Sequence, residues 1–358
     1  MNSHHFDIHS IVKIALENAP TAITDFLSLQ LGHFSVSESD SKPDTIDITL
    51  TKLSKEEPDF PGSSLWHSLY GFTVSEFEGN DAIYFQYKDS CDIIVSISDT
   101  IVIYYTERPG IQRKLYSVLL FCINLVLNRK WGCMLHGAVL EKDDCCVMLA
   151  GHRGSMKTIL CLTMLKHGWN YLSDDKCLLA NQAVHMFQPT IPVRLHHFEA
   201  LPWLEDYTDN TLKKFSTLKK GCLNLATKVV PKRLLSPLNR YLNPSQLVSG
   251  DQLSSGAQII QHEKLTDIVI LNTGKALRSE KLTRTEFVTK FTLIQNMASI
   301  DYALVEAMLK LKSDRVIHNL EKLIEHNIDT ENLYQLSFPE KSSIDQVYQE
   351  LTKCLQQR

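Results

Sequence analysis

Apolar positions change their spacing several times along the chain. Ile8, Ile11, Val12 and Ala15 recur at helical intervals within 6–16, which predicts a short amphipathic helix. Later runs alternate or are rich in β-branched residues: 34–36, 45–50, 82–87, 92–98 and 101–105. Separated by Ser, Asp and Gly turns, they predict a small α+β N-terminal lobe over 1–110. Pro109-Gly110 closes that lobe, and 111–128 reads as one long apolar helix that opens a second domain, 111–358.

The rhythm changes after residue 133. Residues 134–140 and 145–150 read as two short buried strands with Lys142-Asp143-Asp144 turning between them. The turn Gly151-His152-Arg153-Gly154 leads into a helix from Lys157 to about Lys166, stopped by Gly168. Strand-like runs at 170–173, 176–180 and 183–187 follow, with the acidic pair Asp174-Asp175 between the first two. Strand, loop, helix, strand is a βαβ-like unit, so the expected fold class is α/β. Residues 200–256 are polar, Lys-rich and punctuated by Pro231, Pro237 and Pro244, and read as an insertion with some helix. A buried strand returns at 266–271. The chain from Thr285 onward reads as mostly helical, with a late strand at 333–338. A last helix opens at Ser342-Ser343 and runs through Val347, Leu351 and Leu355.

Composition narrows the function classes. Hydrophobic residues make up 44% of the 358, with only 14 Gly and 12 Pro, which excludes a disordered or collagen-like chain. Lys+Arg 37 against Asp+Glu 41 leaves no basic surface to argue for nucleic acid. The most apolar run, 115–127, falls short of the ~20 residues that cross a bilayer, so no membrane association is expected. The N-terminus lacks a basic segment followed by an apolar core, and so does not read as a secretory signal. Nine cysteines without a C-x-x-C pair suit reduced, buried thiols and a cytoplasmic location.

The strongest chemical signal is 151–158, Gly-His-Arg-Gly-Ser-Met-Lys-Thr, which follows an apolar strand and opens a helix. That context lets backbone N–H groups surround phosphates, with a lysine to neutralise them and a hydroxyl to reach a metal ion. Gly151, Gly154, Ser155, Lys157 and Thr158 are the candidate nucleotide-binding residues. The position before the lysine, glycine in the P-loop pattern, is Met156; a right-handed helical backbone there would suit any L-residue. The plain alternative is an ordinary turn into a buried helix. Asp174-Asp175 can hold a phosphate-bound Mg²⁺ and accept a proton from a hydroxyl, or simply form a polar turn. His136, on the preceding strand, can tune a nearby aspartate or be a satisfied core histidine. His196-His197, Lys213-Lys214 and Lys219-Lys220 read as surface side chains, with the two histidines on one strand. Arg194, Arg278 and Arg284 are further candidates for phosphate contact.

Taken together, these segments resemble one family. Leu135-His136-Gly137-Ala138-Val139, the run from Val147 to Thr158, and His167-Gly168-Trp169-Asn170-Tyr171-Leu172-Ser173-Asp174-Asp175 are similar to the HPr kinase/phosphorylase-like kinases. The match is closer to their shorter relatives from bacterial gene clusters and covers about 134–179. The resemblance implies a mixed-sheet P-loop kinase core, shared with phosphoenolpyruvate carboxykinases, and a helical C-terminal part. It implies ATP and Mg²⁺, and transfer of phosphate to a hydroxyl, such as a serine, of a peptide, protein or small metabolite. By position, Lys157 and Thr158 bind phosphate and metal, Asp174 acts as base with Asp175 at the metal, or the reverse, and His136 assists. No counterpart of the family's phosphorolysis segment is found. A nucleotide-binding regulatory protein with an altered P-loop is the alternative function, and a homo-oligomer is open to either.

Overall fold

The computed structural model describes residues 3–36, 45–53, 65–66, 71–87, 90–152, 154–207, 245–253, 258–298 and 318–356. Most of the insertion, with its two lysine pairs and prolines, lies outside the described residues, as does Arg153. The protein is mixed α/β, with several sheets that combine parallel and antiparallel pairing. Contact density divides it into Met1–Cys133 with Ile300–Asn319, and Met134–Ser299 with Leu320–Arg358.

The first unit holds an eight-stranded sheet. Its strands are β1 (Ser3–Ile8), β2 (Val12–Glu17), β3 (Ile48–Lys52), β4 (Leu65–Trp66), β5 (Gly71–Phe77), β6 (Asn80–Tyr87), β7 (Ser90–Ile97) and β8 (Ile101–Tyr105). They lie in the order β1-β2-β3-β8-β7-β6-β5-β4. Residues 6–16 are therefore not a helix. They form the β1–β2 hairpin, turning at His9 and Ser10 with φ of 53° and 58°. Two strands of period two on either side of a turn mimic helical spacing when read as one window. The lobe's helix is α1 (Thr21–Leu31), which buries Ile23, Leu27 and Leu31 at four-residue steps. The long apolar helix, α2 (Ile111–Arg129), is buried all round from Val118 to Asn128 and packs on α1, β2 and β8. By contact density α2 therefore falls in the first unit, which runs to Cys133.

The second unit contains β9 (Cys133–Leu135), β10 (Ala138–Lys142), β11 (Cys145–Gly151), α3 (Lys157–Lys166), β12 (Asn170–Ser173), β13 (Cys177–Ala180) and β14 (Ala183–Met186). These are followed by β15 (Thr190–Arg194), α4 (Leu195–Ala200), β16 (Ser245–Ser249), β17 (His262–Glu263), β18 (Asp267–Thr273) and β19 (Arg278–Lys281). The chain ends with α5 (Arg284–Ala298), α6 (Leu320–Asn327), β20 (Asn332–Phe338) and α7 (Ile344–Gln356). The main sheet runs β12-β10-β11-β18-β20-β19, with β11, β18 and β20 parallel. β12 and β11 are both antiparallel to β10, so β11–α3–β12 is a parallel crossover spanning one strand. All seven residues of β11 are buried, as expected of a strand covered on both faces. Leu160, Leu165, Val347 and Leu351, from α3 and α7, join Leu149, Val269 and Leu336 in one core. α7 opens with a capping box in which Ser343 and Gln346 each accept the other's backbone N–H.

Residues 134–140 are not one strand. β9 belongs to a four-stranded sheet, β17-β14-β13-β9, while β10 belongs to the main sheet. The chain changes sheets at His136-Gly137. A Cβ at Gly137 would lie 2.9 Å from Leu149 O and 2.5 Å from Met148 Cε, so the backbone passes where no side chain fits. His196 and His197 sit on the short helix α4, not on a strand. His197 is buried, its Nδ1 accepts the Arg194 N–H, and burial, then His196 and Arg194, hold its pKa down at about 3. Each cysteine among the described residues is a free, buried thiol. No helix among them is long and apolar enough to cross a membrane.

Candidate functional site

β11 delivers its last residue, Gly151, in parallel register with Leu271 of β18. A Cβ at Gly151 would collide with Ser155 Oγ and stand 2.8 Å from Leu271 O. The chain then folds back over its own start: Ser155 N–H donates to His152 O at 3.1 Å, and Gly154 has φ of +86°. Ser155 is buried, and among the described residues its hydroxyl has no hydrogen-bond partner. Met156 closes the loop with φ of +63° and ψ of 10°. That is the left-handed region, which glycine enters freely and other residues at a cost of roughly 1–2 kcal/mol. The right-handed backbone that would suit any L-residue is therefore not the one Met156 adopts. Its side chain packs partly buried against the main core.

α3 begins at once with Lys157 and Thr158. Lys157 is buried, and its Nζ donates to Gly151 O at 2.6 Å and His152 O at 3.1 Å, within the loop. Burial lowers its pKa, against the opposing pull of Asp174 and Asp175. Thr158 Oγ1 donates to Asp174, 3.1 Å from Oδ2 and 3.4 Å from Oδ1. Crossover geometry explains this meeting: β12 ends at Ser173, on the same side of the sheet as the start of α3.

The acidic pair is a tight turn. Lys176 N–H donates to Asp174 O at 2.9 Å, Ser173 Oγ donates to Lys176 O, and Asp175 has φ of +72°. The turn separates the two carboxylates. Asp174 is 1% exposed, and burial, reinforced by Asp175, pushes its pKa up to about 6 despite Thr158, Lys157 and His136. The Asp175 side chain is 49% exposed. Burial would raise its pKa too, but the hydrogen bond from His136 and the charges of His136, Lys176 and Lys157 prevail and hold it below the usual range. His136 Nδ1 lies 3.0 Å from Asp175 Oδ1 and 2.8 Å from Asp175 O.

The structure therefore brings Gly151, Ser155, Lys157, Thr158, Asp174, Asp175 and His136 together, with Gly154 at the loop's crest. It does not bring Arg278 or Arg284 to them. Arg278 faces Glu280 on the edge strand β19, with β18 and β20 between it and β11. Arg284 donates to Ile328 O at 2.6 Å, and the Arg194 backbone caps α4. One residue absent from the sequence reading joins the site: Gln295 of α5, fully buried, contacts both backbone groups of His136.

This arrangement suits a phosphate-bearing ligand. A buried hydroxyl without a partner among the described residues and an ammonium inside the loop are complementary to anionic oxygens, and the glycine at 151 lets Ser155 close over the strand end. Among the described residues there is no group of three or more His, Cys, Asp or Glu placed to hold a metal by themselves. A hydroxyl beside one carboxylate instead fits Mg²⁺, which commonly takes one or two carboxylates and completes its shell with phosphate and water. No protein-family model and no curated protein matches the chain.

Proposed function

We propose that the second unit is an ATP-dependent phosphotransferase acting on a hydroxyl in a peptide, protein or small metabolite. The observation that carries this reading is the Thr158–Asp174 contact at the mouth of a loop already holding Lys157. The resemblance to HPr kinase/phosphorylase-like kinases supports it, including the P-loop kinase form of the core.

In this reading the loop N–H groups, Ser155 and Lys157 bind the phosphates, and Thr158 with Asp174 holds Mg²⁺. Mg²⁺ when bound neutralises phosphate charge. Asp175 is the half-exposed carboxylate that an acceptor hydroxyl can reach. It takes that hydroxyl's proton as the oxygen bonds to the γ-phosphorus and the bond to the ADP oxygen breaks. His136, donating to Asp175, holds the carboxylate in place. Exposure favours Asp175 as the base and Asp174 at the metal, the second of the two arrangements open from sequence. The buried free thiols accord with a reducing, cytoplasmic setting.

A second reading, a nucleotide-binding regulatory protein, is favoured by Met156, whose side chain occupies a left-handed position that glycine would leave open. One pair of measurements separates the two. Mg²⁺-ATP should raise the melting temperature by mass action, and Lys157→Ala should remove most of that rise while leaving the apo protein folded. Transfer of labelled γ-phosphate to peptides or hydroxyl metabolites then supports the transferase. Binding without transfer to any acceptor supports the regulatory protein, and an unchanged shift in Lys157→Ala removes both.

A further inference from the structure

We propose that Gln295 is a positioning residue for the His136–Asp175 pair, fixing through a two-point amide contact the imidazole tautomer that the pair uses. Its functional meaning rests on the reading of Asp175 as proton acceptor; its geometry stands independently.

A residue inside a sheet has its N–H and C=O satisfied by neighbouring strands. His136 lies where the chain has left β9 and not yet entered β10, between two sheets. Gln295 takes the place of the neighbouring strand. Its Oε1 accepts the His136 N–H at 2.6 Å, and its Nε2 donates to the His136 C=O at 3.0 Å. A primary amide offers an acceptor and a donor side by side, as a peptide group does. Turning the amide over would set N–H against N–H and O against O, so only one orientation satisfies both contacts. The amide is fully buried, where losing either of its partners carries a desolvation penalty.

Pinning the backbone at both groups fixes the direction in which the imidazole leaves it. The ring then meets two oxygens of one residue: Nδ1 is 2.8 Å from Asp175 O and 3.0 Å from Asp175 Oδ1. A carbonyl and a carboxylate only accept, so Nδ1 carries the hydrogen and, in the neutral ring, Nε2 keeps its lone pair. Gln295 thus acts on Asp175 through His136, without touching a reacting group. α5, which bears it, is anchored at its start by a capping box: Thr283 N–H donates to Glu286 at 3.0 Å and Glu286 N–H to Thr283 Oγ1 at 3.3 Å.

The test is Gln295→Met, which keeps the side-chain length and removes both contacts. Long-range ¹⁵N correlation spectra of the imidazoles, with His136 assigned through His136→Gln, report the tautomer directly. Wild-type protein should show hydrogen on Nδ1, and Gln295→Met should show that state lost to a mixture. ATP turnover should fall about 10- to 100-fold in kcat, with KM for ATP within about twofold. A folded Gln295→Met protein with an unchanged tautomer overturns the proposal. A changed tautomer in a protein that shows no phosphoryl transfer upholds the positioning and counts against the transferase alone. Should Gln295→Met fail to fold, Gln295→Glu, which keeps an acceptor for the His136 N–H and loses the donor, is read in the same way. Hydrogen on Nε2 in the wild type would overturn the proposal by itself.

Discussion

Two buried aspartates show what separates the units. In the first, Asp92 is 4% exposed, and its carboxylate meets Lys114 Nζ at 2.9 Å and Arg108 Nη1 at 3.4 Å. In the second, Asp174 is more buried still, yet its hydrogen-bond partner is the neutral hydroxyl of Thr158. Two cations match the first charge, which ties β7 to the entry of α2. The second charge is under-compensated, and its raised pKa records the cost. Folding alone does not favour such a carboxylate, since an apolar or amide side chain would fill the place with less penalty. A cost concentrated at a strand end, beside a loop with left-handed backbone, is how functional sites differ from structural ones.

The widest gap between the two should appear in catalysis. Asp175→Asn removes the proposed base and should lower phosphoryl transfer by about 10²–10⁴, with ATP affinity largely kept. The readout is transfer rate and nucleotide affinity measured side by side; equal loss of both would move Asp175 to the metal. Stability comes next and should change sign between the units. Asp92→Asn leaves Lys114 and Arg108 without their carboxylate and should destabilise by about 2–3 kcal/mol. Asp174→Asn should instead stabilise the protein at neutral pH by up to roughly 3 kcal/mol, because the amide has no charge to bury. Urea denaturation of both variants checks this, and destabilisation by Asp174→Asn would erase the contrast.

The same shift fixes a pH dependence. Asp174 has a pKa of about 6 in the folded protein, above its unfolded value of 3.8, so the folded state holds the extra proton between them. Its contribution to stability therefore falls as pH rises from about 4 to about 6 and is level above. The gain from Asp174→Asn should vanish below that window; a gain independent of pH would mean that charge burial is not its cause. The smallest effect concerns the loop. Met156→Gly relieves a left-handed methionine but gives up partial packing and loosens the unfolded chain, for a net gain of about 0.5–1 kcal/mol. Calorimetric titration should also show modestly tighter ATP binding, and a loss of stability would show that the methionine's packing outweighs its backbone cost.

How much of this was legible in the sequence differs by feature. The strand–loop–helix from 145 to 166 was readable because a continuous apolar run, glycines and a helical period agree locally. The hairpin at 3–17 was not, because two alternating strands and a turn reproduce helical spacing over one short window. The sheet change at His136-Gly137 left no mark in the apolar pattern, which runs on through both strands; only the glycine hinted at close approach. The left-handed backbone of Met156 depends on how the loop returns over Gly151, a tertiary fact. Gln295 is, with Thr292, one of two polar residues on the buried face of α5, four positions after Phe291 and seven after Val288. A glutamine on the buried face is the signal that could have found it, but its target lies 159 residues earlier.

Because β9 and β10 are consecutive pieces of one chain, His136-Gly137 is a joint between the second unit's four-stranded and six-stranded sheets, alongside the links at 174–176 and 264–266. The small sheet cannot open without pulling on the residue that Gln295 clamps, and loosening α5 frees that joint from the other side. Amide hydrogens in β10 and β13 should therefore exchange by one common opening, their protection falling together as denaturant is added. Unequal protection, with β13 exchanging well before β10, would mean that the clamp yields first and that the small sheet opens as a separate cooperative element.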